Sequence, residues 1–163
     1  MKKKKIEKTI IEFIMMEEMF KKLQVMGSVS FMIPSKKNYN ILGELLKEFR
    51  LEELYSDDYK RCRNQLKVIK SNIIGDSQVF DDKKKEEFKK AAEEFWKTGK
   101  NKRVKEDTEK MKKEWEEKVR TEKHEVEFYC IEERFVPKEL EEEKNKQLAI
   151  LLVQLCDELI LTT

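Results

Sequence analysis

Residues 80–123 contain no proline and a single glycine, Gly99, and nearly every position there is a charged residue or a widely spaced large apolar one. Apolar residues three or four positions apart lie on one face of an α-helix, so this pattern restricts the segment to helix. Glycine is favoured in the left-handed backbone conformation that often follows the last turn of an α-helix, and Gly99 suits that position. We therefore predict a charged αα-hairpin over residues 80–123 that turns near residues 99–102, with one helix bent at Gly99 as the alternative.

Helical spacing recurs over much of the remaining chain. Residues 6–25 carry an amphipathic stripe, and a Leu-rich helix is expected after Pro137. The pattern of residues 35–71 predicts one long central helix with Ser35 as its N-cap and a bend near residues 51–57. Residues 72–78 read as a loop.

Strand signals are few. Residues 125–131 alternate between apolar and polar side chains, which is typical of a half-buried strand. The short apolar segment of residues 29–33 before Pro34 reads as a short strand or a buried linker, and as a strand it is the expected partner of residues 125–131. The predicted fold class is mainly α: an elongated helical assembly with a long central helix, a charged αα-hairpin and at most one short two-stranded β ribbon. We expect a single domain over residues 1–163, from which residues 80–123 protrude.

The chain offers little equipment for catalysis. It is 43% charged, has one histidine, and lacks the glycine-rich phosphate loops, metalloprotease motif and nucleophile elbow of common enzyme classes. Arg120 and His124 lie closer together in the sequence than the Arg–His pair of helical RNases, and this spacing argues against such an RNase. The cysteines Cys62, Cys130 and Cys156 have no zinc-ligand spacing and read as small buried hydrophobes. We predict a non-enzyme without cofactor, metal or small-molecule substrate.

The cellular compartment of the protein is predicted from its cysteine residues and from the first residues of the sequence. Reduced cysteines are typical of the cytoplasm. Lys2–Lys5 resemble the start of a signal peptide, but glutamates interrupt the following apolar segment. No stretch approaches the roughly 20 apolar residues of a membrane span. We expect a cytoplasmic protein without a membrane partner.

Two surfaces are candidates for binding another protein or a second copy of the chain. One is a methionine-rich segment, because methionine adapts to varied partners, although core packing is the alternative. The other is the tip of the predicted hairpin. The candidate residues are Met15, Met16, Met19, Met26, Met32, Lys100, Lys102 and Arg103.

Charge placement adds to this prediction and opens a second one. Residues 124–163 hold ten acidic and four basic residues, whereas the whole chain carries +2, so the remainder is basic. Basic residues within 60–105 allow a nucleic-acid-associated helical subunit as the alternative function. Its predicted phosphate contacts are Lys60, Arg61, Arg63, Lys67 and Lys70.

Residues 33–49, with the sequence IPSKKNYNILGELLKEF, resemble a stretch found in small uncharacterised helical proteins of bacteriophages and prophages. The shared features are an apolar-Pro turn, a Tyr-x-Ile opening and a long charged helix. The chain departs from them by its longer charged section over residues 80–123. The resemblance implies an accessory protein, either an assembly factor or an inhibitor of a host defence system, in the host cytoplasm if phage-encoded. It supplies no catalytic residue.

Overall fold

The computed structural model describes residues 1–75 and 81–162, and their fold is mainly α, which confirms the predicted class. The helices and strands follow one another as β1 (Lys3–Thr9), α1 (Ile10–Leu23), α2 (Val29–Leu45), α3 (Leu51–Leu54), α4 (Asp57–Ile74), α5 (Asp82–Lys97), α6 (Gly99–Thr121), β2 (Lys123–Tyr129), β3 (Ile131–Glu132), α7 (Lys146–Cys156) and β4 (Ile160–Leu161). Short 3-10 turns link several of them.

The chain divides into two compact units. Unit 1 combines Met1–Arg50 with Glu117–Thr163, and unit 2 is Leu51–Glu116. The predicted single domain over residues 1–163, from which residues 80–123 protrude, stays a prediction. Unit 2 includes α3 and α4 as well as α5, which packs on α4.

The strand predicted at residues 125–131 is present as β2, but its predicted partner is wrong. β2 pairs antiparallel with β1, with Ile6 opposite Val126. Residues 29–33 belong to α2. β1 is rich in lysine, which has a weak preference for strands, so cross-strand contacts decide its conformation.

The two faces of this ribbon differ. On the outer face Lys5 Nζ lies 3.0 Å from a carboxylate oxygen of Glu125, and Lys3 Nζ lies 3.3 Å from one of Glu127. On the inner face Ile6 and Phe128 are buried. The ring of Phe128 lies 5.9 Å from that of Phe13 of α1, so the ribbon covers the helical core.

A second strand contact goes beyond the predicted single ribbon. β3 and β4 form a two-residue parallel pair, with Ile131 opposite Ile160. The core of unit 1 lies between these strands and three helices. Its fully buried side chains include Ile10, Phe13, Met16, Phe20, Leu23, Phe31, Leu42, Phe128, Ile131 and Leu159.

Helix α1 begins at Ile10, four residues later than predicted, because a capping box fixes its start. The Thr9 hydroxyl accepts a hydrogen bond from the Glu12 amide, and the Glu12 carboxylate accepts one from the Thr9 amide at 2.9 Å. These two bonds satisfy donors that the first helical turn leaves without partners.

Helix α2 begins before Pro34, so the prediction that Ser35 caps a helix starting after the proline is wrong. Proline has no amide to donate to the carbonyl of Ser30, which is at an exposed position where water can bind it. Ser35 lies buried inside the helix, where its hydroxyl donates to the carbonyl of Phe31 at 2.8 Å.

The prediction of a single long helix for residues 35–71 is also wrong, because the helical conformation is interrupted twice between α2 and α4. Arg50 is extended and its guanidinium donates to both carboxylate oxygens of Glu17, at 2.7 and 2.5 Å. Ser56 is extended as well, and its hydroxyl accepts from the Tyr59 amide as the N-cap of α4. The predicted bend near residues 51–57 is thus a complete interruption.

In the described residues of unit 2 every regular element is a helix. Tyr59 stacks on Trp96 with ring centres 6.1 Å apart, whereas Lys70 Nζ lies 5.8 Å over the Phe88 ring. The early part of α4 therefore meets the late part of α5, so these two helices pack antiparallel. Thr98 is extended and Gly99 has a φ of 50°, which separates α5 from α6.

The predicted loop over residues 72–78 is partly helix. Helix α4 continues to Ile74. Residues 76–78 lie outside the described residues, as does position 80, at which the charged segment was predicted to begin. Helix α5 begins with Asp81 as its N-cap, whose carboxylate accepts from the Lys84 amide at 2.8 Å.

Candidate protein-binding surface

Helix α7 is apolar on more sides than unit 1 covers. Residues 148–153 form six consecutive apolar positions, and Leu152 is the one among them that is fully buried. Ile150 is 38% exposed and Val153 is 58% exposed. Lys146, Gln147 and Gln154 are also exposed on α7, so Ile150 and Val153 form an apolar patch among polar neighbours that the described residues leave in contact with solvent.

This exposed face borders a groove. The 3-10 turn Lys138–Glu141 runs beside α7, and two adjoining depressions of about 550 and 450 Å³ lie between them. Both depressions are lined by Leu140, Glu141, Ala149 and Val153. Val136 lines one of them and Ile150 the other. We call this feature the α7 groove.

Helix α7 also borders a third depression, of about 320 Å³, on the side of α1. It is lined by Met15 and Met19 of α1 and by Leu148 and Leu151 of α7. Apolar residues of α7 therefore border depressions on both sides of the helix, with Leu148 and Leu151 on the side of α1 and Ile150 and Val153 on the side of the groove. The sequence predicted Leu148 and Leu151 on the apolar face of this helix but did not single out Ile150 and Val153, although the unbroken run over residues 148–153 was a usable signal.

The methionines predicted to bind a partner do not form one surface. Met16 and Met19 are buried in the core of unit 1, at 0% and 1% exposure. Met26 and Met32 are half-buried. Met15 alone among the five is exposed, at the edge of the depression between α1 and α7. Packing accounts for Met16 and Met19, as the alternative interpretation held.

The predicted hairpin-tip residues Lys100, Lys102 and Arg103 lie in the first turns of α6 and are exposed. Lys102 lines a small cleft together with Trp96 of α5. Glutamates line the same cleft, namely Glu93, Glu106 and Glu109. The cations at this position are therefore accompanied by carboxylates.

Four of the predicted phosphate-binding residues recur along one side of α4, at positions 60, 63, 67 and 70. Arg63 is engaged within the chain: its guanidinium donates to both carboxylate oxygens of Glu52, at 2.8 and 2.9 Å. Hydrogen bonds from Arg63 lower the pKa of Glu52, with smaller contributions from Lys60 and Lys67. Arg61 lies 3.5 Å from Asp58. Glu52 thus offsets part of the positive charge on this side of α4.

His124, the one histidine, makes contacts that account for its position. It is the second residue of β2, its Nε2 lies 2.7 Å from a carboxylate oxygen of Glu122, and its ring meets the Phe49 ring edge-on at 6.0 Å. The three cysteines are buried free thiols. Burial raises the pKa of Cys156 to about 12, so this thiol stays protonated.

Among the described residues no cluster of three or more His, Cys, Asp or Glu side chains is arranged to hold a metal ion. In the same residues no helix is long and apolar enough to cross a membrane. Helix α7, the most continuously apolar one, has 11 residues.

Comparisons of the chain with protein-family models, with curated proteins and with solved structures gave no match.

Proposed function

We propose that the chain acts by protein–protein contact, without catalysis, and that the α7 groove is the contact surface. The observation that carries the proposal is the joint exposure of Ile150 and Val153, one helical turn apart on α7. Clustered exposed apolar side chains mark interaction sites in soluble proteins, whereas single ones are ordinary.

The surroundings of these residues support the same function. The groove floor is apolar, and charged residues line its edge. Protein interfaces have this arrangement, in which apolar anchors at the centre supply affinity and charges at the rim set orientation and association rate.

The burial of the three thiols supports a role without catalysis, and Cys156 stays protonated because burial raises its pKa to about 12. General acid–base chemistry uses a titrating group that can reach a substrate. The finer proposal, an accessory protein of phage type that assists assembly or inhibits a host defence system, rests on the resemblance of residues 33–49.

The test compares complexes formed by the wild type with those of Val153→Asp and Ile150→Asp. A buried aspartate is costly to desolvate, so complexes that use the groove should weaken strongly. Val68→Asp is the matched control, because Val68 is 60% exposed on α4. Light scattering over a concentration series reports self-association, and affinity capture from host lysate followed by mass spectrometry reports foreign partners.

Support requires that a defined complex of the wild type be lost in Val153→Asp and retained in Val68→Asp. A complex that survives both groove substitutions would contradict the proposal.

The nucleic-acid alternative has its own test. The exposed position of Lys67 on α4 favours it, whereas the engagement of Arg63 by Glu52 and the contact of Lys70 with the Phe88 ring weaken it. Phosphate contacts make affinity fall steeply with salt. Fluorescence anisotropy with single- and double-stranded DNA and RNA at low salt would support this function if binding weakened in Lys67→Gln with Lys70→Gln.

A further inference from the structure

The edge of the α7 groove carries an excess of negative charge. Its lining includes the carboxylates of Glu133, Glu141, Glu143 and Asp157, against the cations Lys138 and Lys146. Lys146 Nζ lies 3.8 Å from Glu143. Within residues 1–75 and 81–162, no ion pair involves Glu133, Glu141 or Asp157. Among the described residues, these three groove carboxylates thus have no cation as a close partner.

The shape of the groove fits a short helix. It lies alongside the 11 residues of α7, which extend over roughly 16 Å at 1.5 Å per residue. A partner helix of similar length presents two to three apolar side chains at i, i+3 or i+4, and i+7 to such a floor. Ile150 and Val153 are one helical turn apart on the same side, so they can pack between those side chains.

Charge decides between a second copy of this chain and a foreign helix. Two copies that met through the same groove would bring Glu133, Glu141 and Asp157 of one protomer close to the same carboxylates of the other, and like charges across an interface are costly. A helix with lysine or arginine beside its apolar stripe places opposite charge there instead.

We propose that the occupant of the α7 groove is a cationic amphipathic helix of another protein, whose apolar face packs on Ile150 and Val153 and whose lysines or arginines meet Glu133, Glu141 and Asp157. This inference rests on the proposed function, since it names the class of partner for the same surface.

The probe is a fluorescein-labelled synthetic peptide of leucine and lysine, about 14 residues long, arranged as an amphipathic helix and used below its own self-association concentration. The comparison peptide has every lysine replaced by glutamate. Fluorescence anisotropy gives the affinities, and methyl NMR of the whole chain locates the site.

The lysine peptide should bind at least about tenfold more tightly than the glutamate peptide, with shifts centred on Ile150, Val153 and Leu140. Val153→Asp should weaken binding about tenfold or more, and Val68→Asp should leave it unchanged. Glu141→Gln with Asp157→Asn, which removes two rim charges and leaves the apolar floor intact, should reduce the salt dependence of binding.

Equal binding of both peptides, shifts remote from α7, or no saturable binding of the lysine peptide below about 1 mM would overturn the inference. Its failure is distinguishable from that of the proposed function. If natural complexes are lost in Val153→Asp while the lysine peptide fails, the groove is an interface for a partner of different chemistry. If natural complexes survive Val153→Asp, the function itself is wrong.

Discussion

The side-chain amide of Asn38 completes the hydrogen bonding of the Tyr129 backbone. Its Nδ2 donates to the Tyr129 carbonyl at 2.9 Å, and its Oδ1 accepts from the Tyr129 amide at 2.8 Å. These are the two bonds that a neighbouring strand would make. A buried residue of α2 therefore takes the place of a third strand at the end of β2.

Asn38→Ala should destabilise unit 1 by about 1–3 kcal/mol, because it leaves a backbone donor and acceptor of Tyr129 without partners. The matched control is Asn40→Ala, an exposed asparagine on the same helix, which should change stability little. Urea unfolding followed by circular dichroism measures both. Equal unfolding midpoints for the two variants would contradict the structural role of Asn38.

The turn after α1 should tolerate no side chain at Gly27. Its φ is 73°, and an added Cβ would lie 2.5 Å from Cγ of Pro137. Gly27→Ala therefore combines a left-handed backbone with overpacking, and we expect a loss of about 2–4 kcal/mol.

The Pro137→Ala background separates the two causes, because it removes Cγ and leaves the backbone strain. Gly27→Ala should cost less in that background, as a double-mutant cycle of thermal unfolding would measure. An identical cost in both backgrounds would show that Pro137 does not limit this turn.

Acid should weaken the start of α1. Burial raises the pKa of Glu12, but hydrogen bonds from the Thr9 amide and hydroxyl outweigh it, so the net pKa lies below its ordinary value. A carboxylate whose folded pKa is lowered stabilises the fold above its unfolded pKa, about 4.3, and loses that contribution as the pH falls through the folded value.

Glu12→Gln should therefore flatten the loss of stability below about pH 5 relative to the wild type. At neutral pH it should cost about 0.5–2 kcal/mol, the range for helix caps. Urea unfolding from acidic to neutral pH tests this, with Glu18→Gln on the exposed side of α1 as control. Parallel pH profiles for the wild type and Glu12→Gln would rule out the capping contribution.

Trp96→Ala should loosen the α4–α5 contact in unit 2. Trp96 is half-buried and stacks on Tyr59, so we expect a loss of about 1–3 kcal/mol, below that of a fully buried tryptophan. The neighbouring exposed Lys97→Ala serves as control. Near-ultraviolet circular dichroism and thermal unfolding report the contact, and an unchanged melting curve would show that the stacking contributes nothing.

The helical fold class, the strand near residue 125 and helix-capping residues are visible in the sequence, because each depends on neighbours within a few positions. The Thr9–Glu12 capping box, which fixes the start of α1, is a local signal of the same kind. The strand character of Lys3–Thr9 depends instead on pairing with residues far along the chain. No local pattern specifies such a partner, and lysine-rich segments favour strands weakly.

The candidate protein-binding surface likewise combines features that are visible in the sequence with features that depend on tertiary packing. The apolar run of residues 148–153 is visible in the sequence, and so is the acidic excess after residue 124. The burial of Leu152 beside exposed Val153 depends on how α1 and the 3-10 turns pack against α7. The engagement of Arg63 by Glu52 likewise needed tertiary structure, because 11 residues separate the two.

The pairing of β1 with β2 also determines when this ribbon can form during synthesis of the chain, because β1 cannot pair until β2 has been made. Lys3 and Glu127 are paired although 124 residues separate them. At a synthesis rate of about 5–20 residues per second, Ile6 waits roughly 6–25 s for its strand partner to be made. Throughout that interval β1 is an unpaired segment, and its closely spaced lysines repel copies of themselves on neighbouring nascent chains. The charges that make β1 a weak strand former on its own thus also disfavour its pairing with other chains before β2 is made.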